Sequence, residues 1–388
     1  MTSPAPSPVI YIDGVLDRSA RVQRDSTFRA QVRNLSSVPR SVTIRLNGVV
    51  VGTASNSTEV ECTCPPDALM GSVPITAQVV SPSGISSTYR RSTTVIENVK
   101  PGQSNTGPGV PDTELTPMAQ TVIRQGGTYE GLLWSAPLVV DTAATVTIAY
   151  STIRSGKVSG GRLINQVSDS GGTLVLDHVE LDGLDLAVLG VGYSRIHMIA
   201  CDVHSCSDGV RAGNSVHVED TWIHGLSRSG TLHPDCIQTT GSSEALIASN
   251  TLDCTGIRPD TGGYDLGNAA VMIGGETNRV QFFEVRDNWM KGGNATVNIR
   301  TDATQPRAGI PDAGRITIAD NLMEVEYGPD GLPAKRADGK GVLPRHGLLM
   351  RPRAAYAPLL TIARNTDQHG TPIESIPGMV DYHPAPTA

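Results

Sequence analysis

An eight-residue pattern returns eight times between Val146 and Asp367, and it constrains the fold more than any other feature of the chain. Its copies begin at Val146, Leu174, Ile196, Val216, Ala245, Phe283, Ile316 and Leu360, at intervals of 20 to 44 residues. The third position holds Ile148, Leu176, Met198, Val218, Ile247, Val285, Ile318 and Ile362. The eighth holds Ile153, Leu181, Val203, Ile223, Leu252, Met290 and Met323, and fails only at Asp367. That makes 23 apolar positions of 24 in a chain that is 38% hydrophobic. Apolar residues at positions one and three describe a strand with one buried face. An apolar residue at position eight, just past a polar turn, describes a second short strand around a corner.

The sixth position reads Ser151, Val179, Cys201, Thr221, Asn250, Asn288, Asn321 and Asn365. Four successive asparagines predict a ladder in which each side-chain amide bonds the next along the repeat axis. Strand, corner, strand and variable loop, repeated, describe a parallel β-solenoid whose coils stack roughly 4.8 Å apart. The expected class is all-β, with an immunoglobulin-like β-sandwich over residues 1–98 and a right-handed single-stranded parallel β-helix over 117–368. Residues 99–116, rich in glycine and proline, read as a linker, and 369–388 as a C-terminal tail lying over the far end or against a neighbour. A short capping helix is expected over 118–124, because an open solenoid end is a sheet edge.

The N-terminal region earns its assignment from several short strands and turns. Val42-Thr43-Ile44-Arg45-Leu46 and Val49-Val50-Val51 flank the hairpin dipeptide Asn47-Gly48. Further strands are expected over 27–33, 58–62, 73–80 and 93–96. The resemblance to immunoglobulin-like modules of bacterial and phage surface proteins is one of pattern, since the disulfide-and-tryptophan signature is lacking.

A net charge of −7 offers nothing to a nucleic acid. The start, Met1 to Pro8, has neither a basic nor an apolar leader region, so the expectation is a protein made without a signal peptide, and no apolar run is long enough to span a membrane. Six cysteines, Cys62, Cys64, Cys201, Cys206, Cys236 and Cys254, show no spacing that demands disulfides or zinc. Neither a metal nor a cofactor is assigned.

Candidate chemistry lies on a second set of strands. Aligned on one apolar residue, Asp208-Gly209-Val210-Arg211, Asp235-Cys236-Ile237-Gln238, Ala269-Ala270-Val271-Met272, Ala295-Thr296-Val297-Asn298 and His346-Gly347-Leu348-Leu349 bring Asp208, Arg211, His233, Asp235 and Gln238 onto adjacent coils. The run His233-Pro234-Asp235-Cys236-Ile237-Gln238, with Ser207 to Arg211 before it, resembles the His-x-Asp-Gly-Ile-Gln coils of right-handed parallel β-helix proteins of the pectate-lyase-like superfamily. That group includes carbohydrate-active enzymes and phage tail proteins. The resemblance spans residues 126–367, and the chain has Cys236 where the motif usually has glycine.

Two readings of these residues stand. Asp208 and Asp235, with His233 and Arg211, could form a catalytic set, either a carboxylate pair for glycoside hydrolysis or an arginine-assisted lyase site. Alternatively, the aspartates satisfy turn amides. The three-aspartate set of the polygalacturonase type is absent, as is an obvious lyase lysine. Trp222 and Trp289, at the outward seventh position, could stack on sugar rings, or could lie beneath a loop or at a subunit contact. Gln238, Asn298 and Arg300 complete the candidate glycan-binding set.

The chain looks like the minor tail proteins of actinobacterial phages that join a small β-sandwich to a β-helix. This resemblance implies a virion tail component that contacts host cell-envelope polysaccharide, meets other tail proteins through its N-terminal domain, and associates as a homotrimer. The alternatives are a polysaccharide lyase or glycoside hydrolase, including a tail-borne depolymerase, and an autonomous glycan-binding module.

Overall fold

A computed structural model describes residues 9–12, 15–16, 21–23, 27–33, 35, 37–65, 71–96, 100–157, 161–166, 171–228, 232–258, 261–277, 280–300, 316–329, 332–334, 346–351 and 360–382. The chain divides into two compact units, Met1–Val99 and Lys100–Ala388. Both are all-β. Among the described residues the helical elements are the three-residue 3-10 turns Asp112–Glu114 and Ile373–Ser375. No helix among them is long and apolar enough to cross a membrane.

The first unit has two sheets. Val15–Leu16, Val9–Ile12, Thr27–Arg33 and Glu59–Thr63 form an antiparallel sheet of four strands. Arg21–Gln23, Ser86–Ile96, Gly71–Val80, Ser41–Leu46 and Val49–Ser55 form the second, antiparallel except where Arg21–Gln23 runs parallel to Ser86–Ile96. Alternation sets the buried face: Val42, Ile44 and Leu46 on one sheet and Phe28, Ala30 and Val32 on the other enter a common apolar cluster. Asn47 and Gly48, at φ 47° and 86°, turn the hairpin between Ser41–Leu46 and Val49–Ser55.

The second unit is dominated by one sheet of 24 strands, from Thr116–Pro117 to Val380–Tyr382. Its pairing follows the sequence repeat. Val146, Leu174, Ile196, Val216, Ala245, Phe283, Ile316 and Leu360 sit opposite one another in successive parallel pairs. Position eight is likewise in register from Ile153 to Met323. Each strand pairs with its counterpart one turn of chain later, an order compatible with a parallel β-helix. The inward residues of all turns merge into one apolar cluster, so each coil is buried by its neighbours rather than by itself.

The corner between the two strands of each repeat has a single cause. Position five holds Tyr150, His178, Ala200, Asp220, Ser249, Asp287, Asp320 and Arg364, and every one has φ between 45° and 59°. A left-handed residue redirects the strand, at a cost of roughly 1–2 kcal/mol for a residue with a Cβ. The stack offsets this cost: the amides of Ala200, Asp220, Ser249 and Asp320 donate to carbonyls of the next coil at 3.1 to 3.3 Å.

Three expectations meet different structure. Residues 118–124 form no helix; Thr116–Pro117 and Val122–Ile123 are strands. Their backbone groups serve the next turn of chain instead, as Met118 N–H donates to Leu133 O and Val139 N–H to Thr121 O, each at 2.8 Å. The last second-strand alignment slips by one, because Val297 pairs with Leu349 and not Leu348. Leu348 and Leu349 are both fully buried, so apolarity alone does not set the register there. His346 therefore leaves the column of Asp208, and its amide donates to Asn294 O at 2.7 Å.

Residues 100–115 are not a free-standing connection. They run as a strap along the second unit, from Lys100 Nζ, 3.2 Å from Glu324 Oε1, past Gly107, whose amide donates to Ala200 O at 3.0 Å, to Asp112, which pairs with Arg154. At the other end of the chain, Val380–Tyr382 adds a parallel strand beside Leu349–Arg351. Ile373 and Met379 are fully buried there.

Candidate functional site

The asparagines of position six are fully or almost fully buried. Asn250 Nδ2 donates to Asn288 Oδ1, Asn288 Nδ2 to Asn321 Oδ1, and Asn321 Nδ2 to Asn365 Oδ1, each at 2.9 Å. Each of these three acceptor oxygens also takes the backbone N–H of the preceding asparagine, at 2.9 to 3.2 Å. The second amide proton reaches back to Val218, Ile247, Val285 and Ile318 carbonyls. Thr221 continues the ladder, its amide donating to Asn250 Oδ1 and its hydroxyl accepting from Cys201 N–H. This column holds the stack together and leaves its outer faces to function.

One outer face is built by the second strands. Arg211, Gln238, Met272 and Asn298 stand in register on it, all half-buried. Arg211 Nη2 donates to Asp208 Oδ2 at 3.0 Å and also to the Gln238 side-chain oxygen. The Asp235 amide donates to Asp208 Oδ1 at 3.3 Å, and Asn268 Nδ2 to Asp235 Oδ1 at 2.9 Å. Asp235 is 0% exposed and Asp208 6%. Burial raises Asp208 to about 6 against the pull of Arg211. Burial, then the charge of Asp208, raises Asp235 well above the usual carboxylate range. Asp235 Oδ2 and Arg211 Nε are buried without a hydrogen-bond partner. His233 is exposed and bonds neither aspartate. The four candidate catalytic residues therefore divide: Asp208, Arg211 and Asp235 form a buried network, while His233 stands outside it.

Arg300 lies farther along this side and pairs with Glu276. Trp222 and Trp289 do not share the face. They occupy position seven, with Thr251 in register between them. Trp222 is stacked on His224, ring centroids 3.4 Å apart and planes at 13°. The strap crosses this same column, since a Cβ on Gly107 would lie 3.4 Å from the Asp202 Cβ and 3.9 Å from that of Glu180.

Positions seven and nine carry a ladder of charge that the residue columns did not announce. His224 Nε2 lies 2.9 Å from Asp202 Oδ1, and His204 Nε2 lies 3.1 Å from Glu180 Oε1. Arg154 donates to Glu180 and Asp182, at 3.1 and 2.7 Å, and to Asp112 of the strap. Burial pushes Glu180 up, but hydrogen bonds from His204 and Thr152 and the charge of Arg154 bring it down to about 2. His204 is pushed down by burial and more than restored by its bond to Glu180, ending above its usual value. Glu180, Asp182 and His204 place possible metal-ligand atoms within 4.8 Å of one another. Arg154 already supplies a cation to two of the three, so the cluster reads as a clasp for the strap. All six cysteines are buried thiols.

A cleft of about 520 Å³ opens beside Arg211, where the second strands turn toward the next coil. Tyr193, Asn214, Thr240, Gly241 and Thr277 line it with Arg211. Tyr193 is 39% exposed, and the Arg162 guanidinium lies 4.3 Å from the centre of its ring. Gly213 is required here: a Cβ would come 2.6 Å from Tyr193 O. The aligned columns carried one trace of this cleft, since Gly213 and Thr240 stand three residues after the inward Val210 and Ile237. Asn214 and Thr277 fall in corners and Tyr193 at the end of a strand, outside the columns that were aligned, which is why the residue pattern missed them. An aromatic platform, hydroxyl and amide groups, and a guanidinium together suit a hydroxylated ligand.

The chain matches no protein-family model, no curated protein and no solved structure.

Proposed function

We propose that this chain is a glycan-contacting component of a phage tail, with a right-handed parallel β-helix as a stiff stalk and the Tyr193 cleft as its sugar-binding site. The observation that carries the reading is the pairing of a partly exposed tyrosine ring with Arg211, Asn214 and Thr240 in one open cleft on a stacked scaffold. A pyranose presents an apolar face and a rim of hydroxyls, and this lining offers a ring for the first and polar groups for the second. The N-terminal unit is read as an immunoglobulin-like sandwich that joins the chain to other tail proteins. Homotrimeric assembly and virion location belong to the same reading.

The alternative, a polysaccharide lyase or glycoside hydrolase, draws on one observation: Asp208 sits next to Arg211 with its carboxyl raised to about 6. Complete burial of Asp235 counts against it, because a polymer must reach both groups of a catalytic pair.

The test incubates the chain with purified actinobacterial envelope polysaccharide, following retention of the protein together with release of reducing ends or unsaturated uronate. Binding that falls at least about tenfold in Tyr193→Ala, with no product released, supports the binding reading. Product that disappears in Asp208→Asn would replace it with the enzyme.

A further inference from the structure

We infer that the Tyr193 cleft selects sugars bearing an anionic substituent, a carboxylate or a phosphate, through Arg211 and Arg162. This rests on the glycan reading of the same cleft. Two guanidinium groups converge on one ring: Arg162 lies 4.3 Å and Arg211 6.0 Å from the Tyr193 centroid. Among the described residues no aspartate or glutamate lines the cleft, and apart from Arg211 its lining is neutral. Asp208, behind Arg211, offsets one of the two positive charges.

The two arginines act on each other. Arg162 is held below its ordinary value first by burial and, against the pull of Tyr193, by the charge of Arg211. Two like charges at one aromatic ring favour an anion that can meet both. Nη2 of Arg211 serves Asp208 and Gln238, and these bonds hold the guanidinium at the cleft wall. The chain as a whole carries −7, so this local positive pair opposes the sign of its surroundings. A cleft of about 520 Å³ exceeds what a bare inorganic anion fills, and the tyrosine ring gives the rest of a sugar a surface.

The experiment is titration calorimetry of the full chain with a matched set: a neutral oligosaccharide, the same backbone bearing a uronate, the same backbone bearing a phosphate, and inorganic phosphate alone. Both acidic sugars are expected to bind at least about tenfold more tightly than the neutral one, with the advantage shrinking as salt rises from about 50 to 300 mM. Arg211→Gln removes that advantage, so that in the variant the acidic and neutral sugars bind within about twofold of each other. Because Arg211 braces a buried carboxylate, Arg162→Gln is the second variant, with the same expectation. Equal binding of neutral and acidic sugars overturns the anion site and leaves the glycan reading standing. Binding of inorganic phosphate alone, with no sugar held, overturns the glycan reading and the sugar part of this inference. A preference for acidic sugars that survives both substitutions overturns the assignment to these arginines.

Discussion

Asn288 donates its side-chain amide to Asn321 Oδ1 at 2.9 Å while its own Oδ1 takes both the amide side chain and the backbone N–H of Asn250. Asn288→Ala therefore strands two buried donors of Asn250, and the Ile247 carbonyl loses its Asn288 bond. At roughly 1–3 kcal/mol for each buried group left without a partner, we expect a loss of about 3–5 kcal/mol in urea unfolding. A loss below about 1 kcal/mol would mean that the ladder does not brace the stack.

This ladder was legible in the sequence because its residues point inward, where chemistry is narrow: an apolar column or a self-bonding amide. The corners were not. Tyr150, His178, Asp220 and Arg364 adopt one left-handed conformation yet share no size, charge or polarity, and none is glycine. Their geometry is imposed by the stack rather than by local preference. The same holds for the register slip at Leu348 and Leu349, where two adjacent buried leucines satisfy the pattern equally. The cleft was hidden for a related reason, since Asn214 and Thr277 come from corners and Tyr193 from the end of a strand, where no aligned column reaches.

Two carboxylates give stability opposite pH dependences. Glu180 lies at about 2 in the folded chain, below its ordinary 4.5, so its contribution is full above pH 4.5 and is lost as pH falls toward 2. Asp208 lies at about 6, above its ordinary 3.8, so its contribution is full below pH 3.8 and is lost as pH rises through 6. Asp208 faces Arg211 on its own strand, Asp235 on the next coil and the apolar Leu189 on the preceding one. Each window is on the order of 2–3 kcal/mol. Urea midpoints from pH 3 to 8 should lose their acid slope in Glu180→Gln and flatten between pH 4 and 6 in Asp208→Asn. Parallel curves for all three proteins would contradict both assignments.

The strap is expected to loosen without unfolding the stack. Asp112→Asn weakens its pairing with Arg154, and Gly107→Val places a branched side chain at φ 72° against Asp202. Hydrogen exchange at the Gly107 amide, bonded to Ala200 O, should quicken by about tenfold or more in either variant. The asparagine ladder should keep its protection. Unchanged exchange at Gly107 would show that the strap is held by other contacts.

The tryptophans should matter less to sugar than to the strap face. Trp222 is stacked on His224 and lies on a different column from the cleft. In the retention assay we expect Trp222→Ala to stay within about twofold of the parent, against at least about tenfold for Tyr193→Ala. The reverse order would move the glycan site to position seven.

The most direct measurement of the central claim is a crystal structure of the chain with an acidic oligosaccharide from the host envelope. The account predicts a sugar ring lying over Tyr193 with its charged substituent within hydrogen-bonding reach of Arg211. An oligosaccharide laid along Trp222 and Trp289, with the Tyr193 cleft holding only solvent, would contradict it.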